Sequence, residues 1–263
     1  MNIDFHAEKN KTTYSGRTAD DTWLEAMQTI IDPRGKRVID VGCGGGIYSQ
    51  AWFTLGAISV VGVDFSQTML ETARSQAPTN APIAFVHGDA LRTGLPDASA
   101  DIVFARALIH HLDDLNGFFA EVHRLLVPGG IAIVQDRTME DVMQPGSPEH
   151  IRGYFFEVFP QLLEKEKGRR PDRAQVLAAM ERNGFAKPEC RHLLETRRRY
   201  AAWRELEADL QARTGRSILH ALSDQELDTL IAVIGQKLSE QSEIHEKDCW
   251  SIWIGKRDGG ILA

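Results

Sequence analysis

Between residues 35 and 136 the apolar positions come in short runs: Val38-Ile39-Asp40-Val41, Val60-Val61-Gly62-Val63, Ile83-Ala84-Phe85-Val86, Ile102-Val103-Phe104-Ala105 and Ile131-Ala132-Ile133-Val134. They are rich in β-branched residues and lack polar alternation, the pattern of strands covered on both faces. Between them the spacing changes to three and four, over 49–55, 66–76 and 115–126. The last stretch places Leu115, Phe118, Phe119, Val122, Leu125 and Leu126 on one helical stripe. Ser66 stands where an N-cap is needed ahead of Met69, Leu70 and Ala73. Strand alternating with helix predicts an α/β fold, a doubly wound and mostly parallel sheet with right-handed crossovers.

The flanks extend this pattern. Asp20, Asp21 and Thr22 are placed to cap a helix containing Trp23, Leu24, Met27, Ile30 and Ile31. After Ser147-Pro148-Glu149, Ile151, Tyr154, Phe155, Val158, Phe159 and Leu162 repeat at helical spacing. Such an aromatic stripe reads first as packing and second as the wall of a pocket. Pro171-Asp172 opens a helix at Arg173 that Asn183-Gly184 ends, and Phe185 to Tyr200 reads as a sixth strand. Residues 244–256, centred on Cys249-Trp250-Ser251-Ile252-Trp253-Ile254, read as a seventh. Two helices fall between these strands, the second opened by the capping box Ser223 to Glu226. The expectation is one domain over 1–263 with helical cap elements at 137–170 and 201–243. The last helix and final antiparallel strands then occupy 171–200 and 244–257.

With 263 residues the chain can bury one large core. No apolar stretch approaches transmembrane length, and Met1-Asn2-Ile3-Asp4-Phe5-His6 lacks the basic-then-apolar order of a leader. Cysteines at 43, 190 and 249 have no metal-ligand spacing, and their odd count suits reduced thiols. A cytoplasmic protein with no metal site and no membrane contact is expected. A net charge of −7 counts against nucleic acid as a partner. Two basic runs depart from that balance: Lys165, Lys167, Arg169 and Arg170, and Arg197-Arg198-Arg199. They read first as solvated surface and second as a patch for an anionic substrate or an RNA backbone.

The chemistry concentrates where the first strand runs into Gly42-Cys43-Gly44-Gly45-Gly46, with Asp40 two residues ahead. Glycines let backbone N–H groups approach a ligand, and a leading carboxylate repels pyrophosphate while favouring an ammonium or sulfonium. The dinucleotide spacing Gly-x-Gly-x-x-Gly fails in both registers, at Ile47 and at Ser49, and no Gly-Lys-Ser/Thr follows. A cationic nucleoside remains, and S-adenosylmethionine is the commonest. Asp64 ends the second strand about twenty residues after the turn, where an acid takes both hydroxyls of a ribose. Asp89 follows the third strand, placed to accept from an adenine amino group.

Asp40-x-Gly42-x-Gly44-x-Gly46, Asp64, Gly88-Asp89, Ile109-His110-His111-Leu112 and Leu126-Val127-Pro128-Gly129-Gly130 occur in this order at suitable intervals. The chain thereby resembles the class I S-adenosylmethionine-dependent methyltransferases, in particular the group acting on small molecules. The match is strong over 35–136. The resemblance implies a Rossmann-like sheet of seven strands with helical lid or cap insertions. It implies that Gly42, Cys43 and Gly44 pass beneath the methionine and ribose parts of the cofactor, and that Asp64, followed by Phe65, holds the ribose. Asp89 with Ala90 would take the adenine, Asp40 the methionine ammonium directly or through water, and Arg106 would contact cofactor through its backbone. Residues 1–34 would form a lid segment from which Tyr14 and Arg17 reach the methionine carboxylate or the substrate; otherwise Tyr14 packs and Arg17 is solvated. His111, and after it His110, would accept a proton from the acceptor or orient it, against a capping or packing role. The expected activity is methyl transfer to a small-molecule acceptor. The alternatives are an RNA or protein methyltransferase and a non-catalytic binder of S-adenosylmethionine or S-adenosylhomocysteine. Nothing in the sequence tells an oxygen acceptor from nitrogen or carbon.

Overall fold

The structure, a computed structural model, describes residues 18–259; Tyr14 and Arg17 lie outside them. In chain order the elements are α1 (Asp21–Ile30), β1 (Arg37–Val41), α2 (Ile47–Thr54), β2 (Ser59–Asp64), α3 (Gln67–Gln76), β3 (Ile83–His87), β4 (Ala100–Arg106), α4 (Leu115–Leu125) and β5 (Leu126–Asp136). They continue with α5 (Met139–Val142), α6 (Ile151–Val158), α7 (Leu162–Glu166), α8 (Arg173–Arg182), β6 (Phe185–Tyr200), α9 (Trp203–Gln211), α10 (Asp224–Leu238) and β7 (Ile244–Arg257). The strands form one seven-stranded sheet in the order β3-β2-β1-β4-β5-β7-β6. The pairs from β3 through β5 are parallel and β7 runs antiparallel to β5.

The chain divides into two compact units. A sheet unit holds residues 18–136, Pro171–Leu193 and 251–259, and a helical unit holds Arg137–Arg170 and Leu194–Trp250. In the sheet unit, strand alternation feeds two cores, which is why the strands read as unbroken apolar runs. Ile39, Val41, Val103, Ala105, Ala132 and Val134 join Phe118, Phe119 and Val122 of α4 and Val176 and Met180 of α8. Val38, Val60, Ile102, Phe104 and Ile133 point to the opposite face, onto Trp23 and Met27 of α1 and Trp52 of α2. Trp23 meets Tyr48, Trp52 and Phe104 edge-on, with ring centroids 5.0, 5.3 and 5.5 Å away. Its indole N–H donates to the buried Gln135 at 2.9 Å, so the polar end of the ring is satisfied inside the core.

Three local features differ from the sequence pattern. β5 starts at Leu126 and carries Pro128-Gly129-Gly130 inside it; a register shift against β4 between Ala100 and Ile102 absorbs the irregularity. The same strand runs on past its apolar core to Asp136. The aromatic stripe is split, because Pro160 biases Phe159 out of helical conformation and α7 begins afresh at Leu162. Tyr154 and Phe155 of that stripe, and Phe156 beside them, are buried in the helical unit's core with Leu206, Leu210, Leu219, Leu230 and Ile234.

Candidate functional site

The glycine turn is held by the neighbouring strand. The N–H groups of Gly42 and Cys43 donate to the Val63 carbonyl at 2.7 and 3.0 Å. Gly44 N–H donates to Asp64 Oδ2, and Ser66 N–H donates to Oδ1, each at 2.8 Å. One carboxylate at the tip of β2 thus fixes both the turn and the entry to α3. Gly42 has φ +73°, and a Cβ there would lie 2.9 Å from the Leu108 side chain, so packing and backbone both demand glycine. Gly44 also has positive φ, at +52°, but a Cβ there would meet nothing within 4 Å. The backbone at Gly44 therefore faces open space beside a carboxylate.

Asp40 is placed differently from an acid lining the turn. It is 1% exposed and accepts from Ser49 Oγ at 2.6 Å. Burial pushes its carboxyl up to about 7, with the Ser49 hydrogen bond opposing, the Asp64 charge adding and Arg106 opposing. Arg106, at the end of β4, lies 4.4 Å over the Tyr48 ring. Ser49 and Tyr48 stand on the first turn of α2, which follows the glycines directly. Their role in holding Asp40 and Arg106 carries no mark in the sequence beyond that proximity. Cys43 turns its side chain away into a small cluster with Leu70, Ala73 and Phe85, and burial holds its thiol well above the usual range.

The outer residues of the predicted site lie past the ends of β2 and β3. Phe65 is 51% exposed, and its carbonyl is bonded to the His87 ring Nε2 at 3.0 Å. Asp89 is exposed and accepts from Leu91 N–H at 2.7 Å, while Ala90 packs half-buried against the core. Two exposed apolar side chains, Phe65 and Leu91, thus flank the two outer carboxylates in sequence.

The histidines follow β4 in a short 3-10 turn, Ile109–His111. His110 Nδ1 lies 2.8 and 2.9 Å from the two carboxylate oxygens of Asp136, and His110 N–H donates to Asp136 Oδ2 at 3.3 Å. Asp136 is 1% exposed. His111 is exposed, its ring 4.0 Å from that of His110. The buried imidazole is therefore His110, the second choice from sequence, and its partner Asp136 was not singled out at all. Only its place one residue past Gln135, at the end of a long strand, could have pointed to it.

Within the helical unit the basic runs are solvated only in part: Lys165, Lys167, Arg198 and Arg199 are exposed, while the others turn to buried acids. Arg169 and Arg170 both pair with the buried Glu166, at 2.8 and 2.6 Å. Arg197 is buried and donates to Glu246 at 2.8 Å and to the Thr214 carbonyl at 2.7 Å. Arg198 pairs with Asp209 at 2.8 Å, and Arg216 joins the cluster from the other side. Their partners lie up to 49 residues away along the chain, so the sequence could not reveal them. Among the described residues no helix is long and apolar enough to cross a membrane.

Residues 39–134 match the family model described as a methyltransferase domain. The chain is 34% identical over 121 residues to the sterol 24-C-methyltransferase erg6 of Aspergillus fumigatus, spanning 45% of this chain and 32% of that protein. It is 36% identical over 112 residues to the ubiquinone biosynthesis O-methyltransferase of Neisseria meningitidis serogroup C, spanning 41% of this chain and 47% of that one. The chain thus spans about a third to a half of the length of these curated relatives. Among solved structures, the phosphoethanolamine N-methyltransferase 2 of Haemonchus contortus, in complex with S-adenosyl-L-methionine, superposes with a TM-score of 0.62 at 20% identity. That match covers 97% of this chain and 60% of the other, and at such identity it is a likeness of fold.

Proposed function

We propose that the chain is a class I S-adenosylmethionine-dependent methyltransferase, as the methyltransferase-domain match and the curated relatives support, and that it transfers a methyl group from S-adenosylmethionine to a small-molecule acceptor. The observation that carries this is the tie between Gly44 N–H and Asp64 at 2.8 Å, beside a glycine whose missing Cβ leaves open space. A flat, close-approaching backbone next to a carboxylate suits a ribose bearing two hydroxyl donors, and it suits a pyrophosphate poorly. When bound, the cofactor supplies an electrophilic methyl carbon on a positively charged sulfur. Asp64 would accept from the ribose hydroxyls, with Gly42, Cys43 and Gly44 giving the backbone surface. Asp89 and Ala90 would take the adenine edge, and the exposed Phe65 ring its flank. Asp40, poised near neutrality, would become fully charged beside the methionine ammonium, directly or through water. Arg106 would contribute its backbone.

The relatives act on small acceptors by name, a sterol at carbon and a ubiquinone precursor at oxygen. The RNA alternative leaned on basic runs that are engaged in ion pairs within the chain. Calorimetric titration tests the proposal: S-adenosylmethionine and S-adenosylhomocysteine should bind and NAD(H) should not. Asp64→Asn should weaken binding by about 10- to 100-fold, the worth of charge-assisted hydrogen bonds. A screen of metabolite extract with labelled methyl donor should lose its signal in the same variant. Tight NAD(H) binding with no response to the methyl donor would overturn the assignment.

A further inference from the structure

We infer that Asp136 is a positioning residue that sets His110, not His111, as the proton acceptor, and that the methyl acceptor accordingly carries a proton on its attacking atom, as a hydroxyl or an ammonium does. This rests on the methyltransferase reading above. The argument begins with strand alternation in β5. Val134 faces one core and Gln135 the other, where it meets Trp23, so Asp136 returns to the Val134 side. Its register partner is Ser251 of β7, which fixes the backbone on one edge. On the other edge, the chain leaving β4 passes through Ala107, whose N–H donates to the Gln135 carbonyl at 2.8 Å. Ala107 has φ +52°, a conformation that costs a non-glycine residue on the order of 1 kcal/mol and persists where surroundings over-determine it. That twist leads into the 3-10 turn and aims His110 at Asp136.

Both Asp136 oxygens face His110 Nδ1 while one also accepts from the backbone N–H, an acceptor geometry in which the ring nitrogen carries the hydrogen. Nδ1 lies 2.8 Å from Oδ1, and the neutral imidazole then has its lone pair on Nε2. The backbone N–H of the same histidine donates to Oδ2, so one carboxylate holds both the ring and the chain that bears it. His111 is exposed and its ring lies tilted against that of His110, centroids 4.0 Å apart, a contact that supports the ring without defining its tautomer. In the step this serves, a lone pair on the acceptor atom, already present on a hydroxyl and freed on an ammonium once its proton has left, forms the bond to the methyl carbon. The carbon–sulfur bond breaks with its electron pair going to sulfur. The acceptor's proton passes to His110 Nε2, leaving an imidazolium beside the Asp136 carboxylate.

The test is nitrogen-15 NMR of histidine-labelled full-length protein, with the His110 signals assigned by their loss in His110→Gln. In the wild type His110 should show a protonated Nδ1 and an Nε2 lone pair. In Asp136→Asn the amide oxygen is drawn to the backbone N–H of His110, which turns the NH2 group toward Nδ1 and reverses the tautomer. S-adenosylhomocysteine affinity should stay within about two-fold while turnover on metabolite extract falls by about 100-fold or more, the scale of a lost general base. A wild-type His110 protonated on Nε2 overturns the proposal without any variant, and so does an unchanged tautomer in Asp136→Asn. Failure of S-adenosylhomocysteine to bind the wild type overturns the methyltransferase reading itself, and the proton transfer with it, whichever tautomer is found.

Discussion

In the sheet unit the interior around Trp23, Phe104, Phe118 and Val134 is apolar, and the buried acids Asp40, Asp64 and Asp136 stand in β1, β2 and β5 near their carboxyl ends. In the helical unit Glu166, Asp209, Glu246 and Asp248 are buried deep within the unit and answered by Arg137, Arg152, Arg170, Arg197 and Arg216. The two arrangements drive carboxyl groups in opposite directions. Asp40 is pushed up by burial because little positive charge offsets it. Burial pushes the acids of the helical unit the same way, but their arginines outweigh it and hold them below the usual range. A carboxylate poised near neutrality can respond to a ligand's charge, whereas one locked to guanidinium groups acts as a cross-link. Asp40, beside the glycine turn, is an acid of the first kind, and these four acids of the helical unit are of the second.

The largest effect should come from opening the cross-link. Arg216 donates to Asp209 at 2.5 Å, to Glu246 at 2.6 Å and to the Tyr200 hydroxyl at 3.1 Å, with its side chain 1% exposed. Tyr200 in turn donates to Asp209 at 2.7 Å. Arg216→Met strands buried negative charge and should cost about 3–5 kcal/mol in urea unfolding. A loss below about 1 kcal/mol, the scale of an exposed pair, would mean the cluster is wet in solution and the contrast between the units is false.

Next in size is a pair of substitutions that should respond to pH with opposite sign. Glu166 has a folded pKa of about 2 against 4.5 unfolded, so its contribution is present above pH 4.5 and lost as pH falls through 2. Glu166→Gln should therefore be less stable than wild type by roughly 3 kcal/mol at pH 7, the two curves converging near pH 2. Asp40 has a folded pKa of about 7 against 3.8 unfolded, so its contribution is complete below pH 3.8 and lost as pH rises through 7. Asp40→Asn should match wild type near pH 4 and exceed it at pH 8 by about 4 kcal/mol. The gain should come with weaker S-adenosylmethionine binding, as expected where a destabilised group serves a site. Parallel pH profiles for the two variants would remove the distinction.

The central strands were legible because they are buried on both faces and so read as apolar runs; the largely exposed β6 still falls on the residues expected of it, and β7 ends one residue further on, at Arg257. Caps were legible too, at Asp20, Ser66 and Ser223, because the capping side chain and the amide it accepts from lie two or three residues apart. What escaped depends on distance along the chain. Asp136 meets His110 across 26 residues, and Arg197 meets Glu246 across 49. A basic run looks the same whether it faces water or a buried acid. Asp40 was visible as an acid before glycines, but its raised pKa follows from burial in the surrounding core and from the Asp64 charge, against the opposing Ser49 and Arg106, and only the fold assembles these.

The smallest effect separates a structural cap from the site beside it. Ser66 Oγ accepts from Met69 N–H at 3.4 Å, while the Ser66 backbone N–H donates to Asp64 Oδ1 at 2.8 Å. Ser66→Ala removes the first bond and keeps the second, because alanine still has its amide. The cost should be about 1 kcal/mol of stability, the ordinary worth of an N-cap. S-adenosylhomocysteine affinity should be unchanged, since the geometry at Asp64 rests on the main chain. If affinity instead fell tenfold or more, the hydroxyl would belong to the ligand site, and Asp64 would not be held by backbone alone. An unchanged affinity would locate the ligand contact at Asp64 in a carboxylate fixed by the main-chain donors of Gly44 and Ser66, which a side-chain substitution leaves in place.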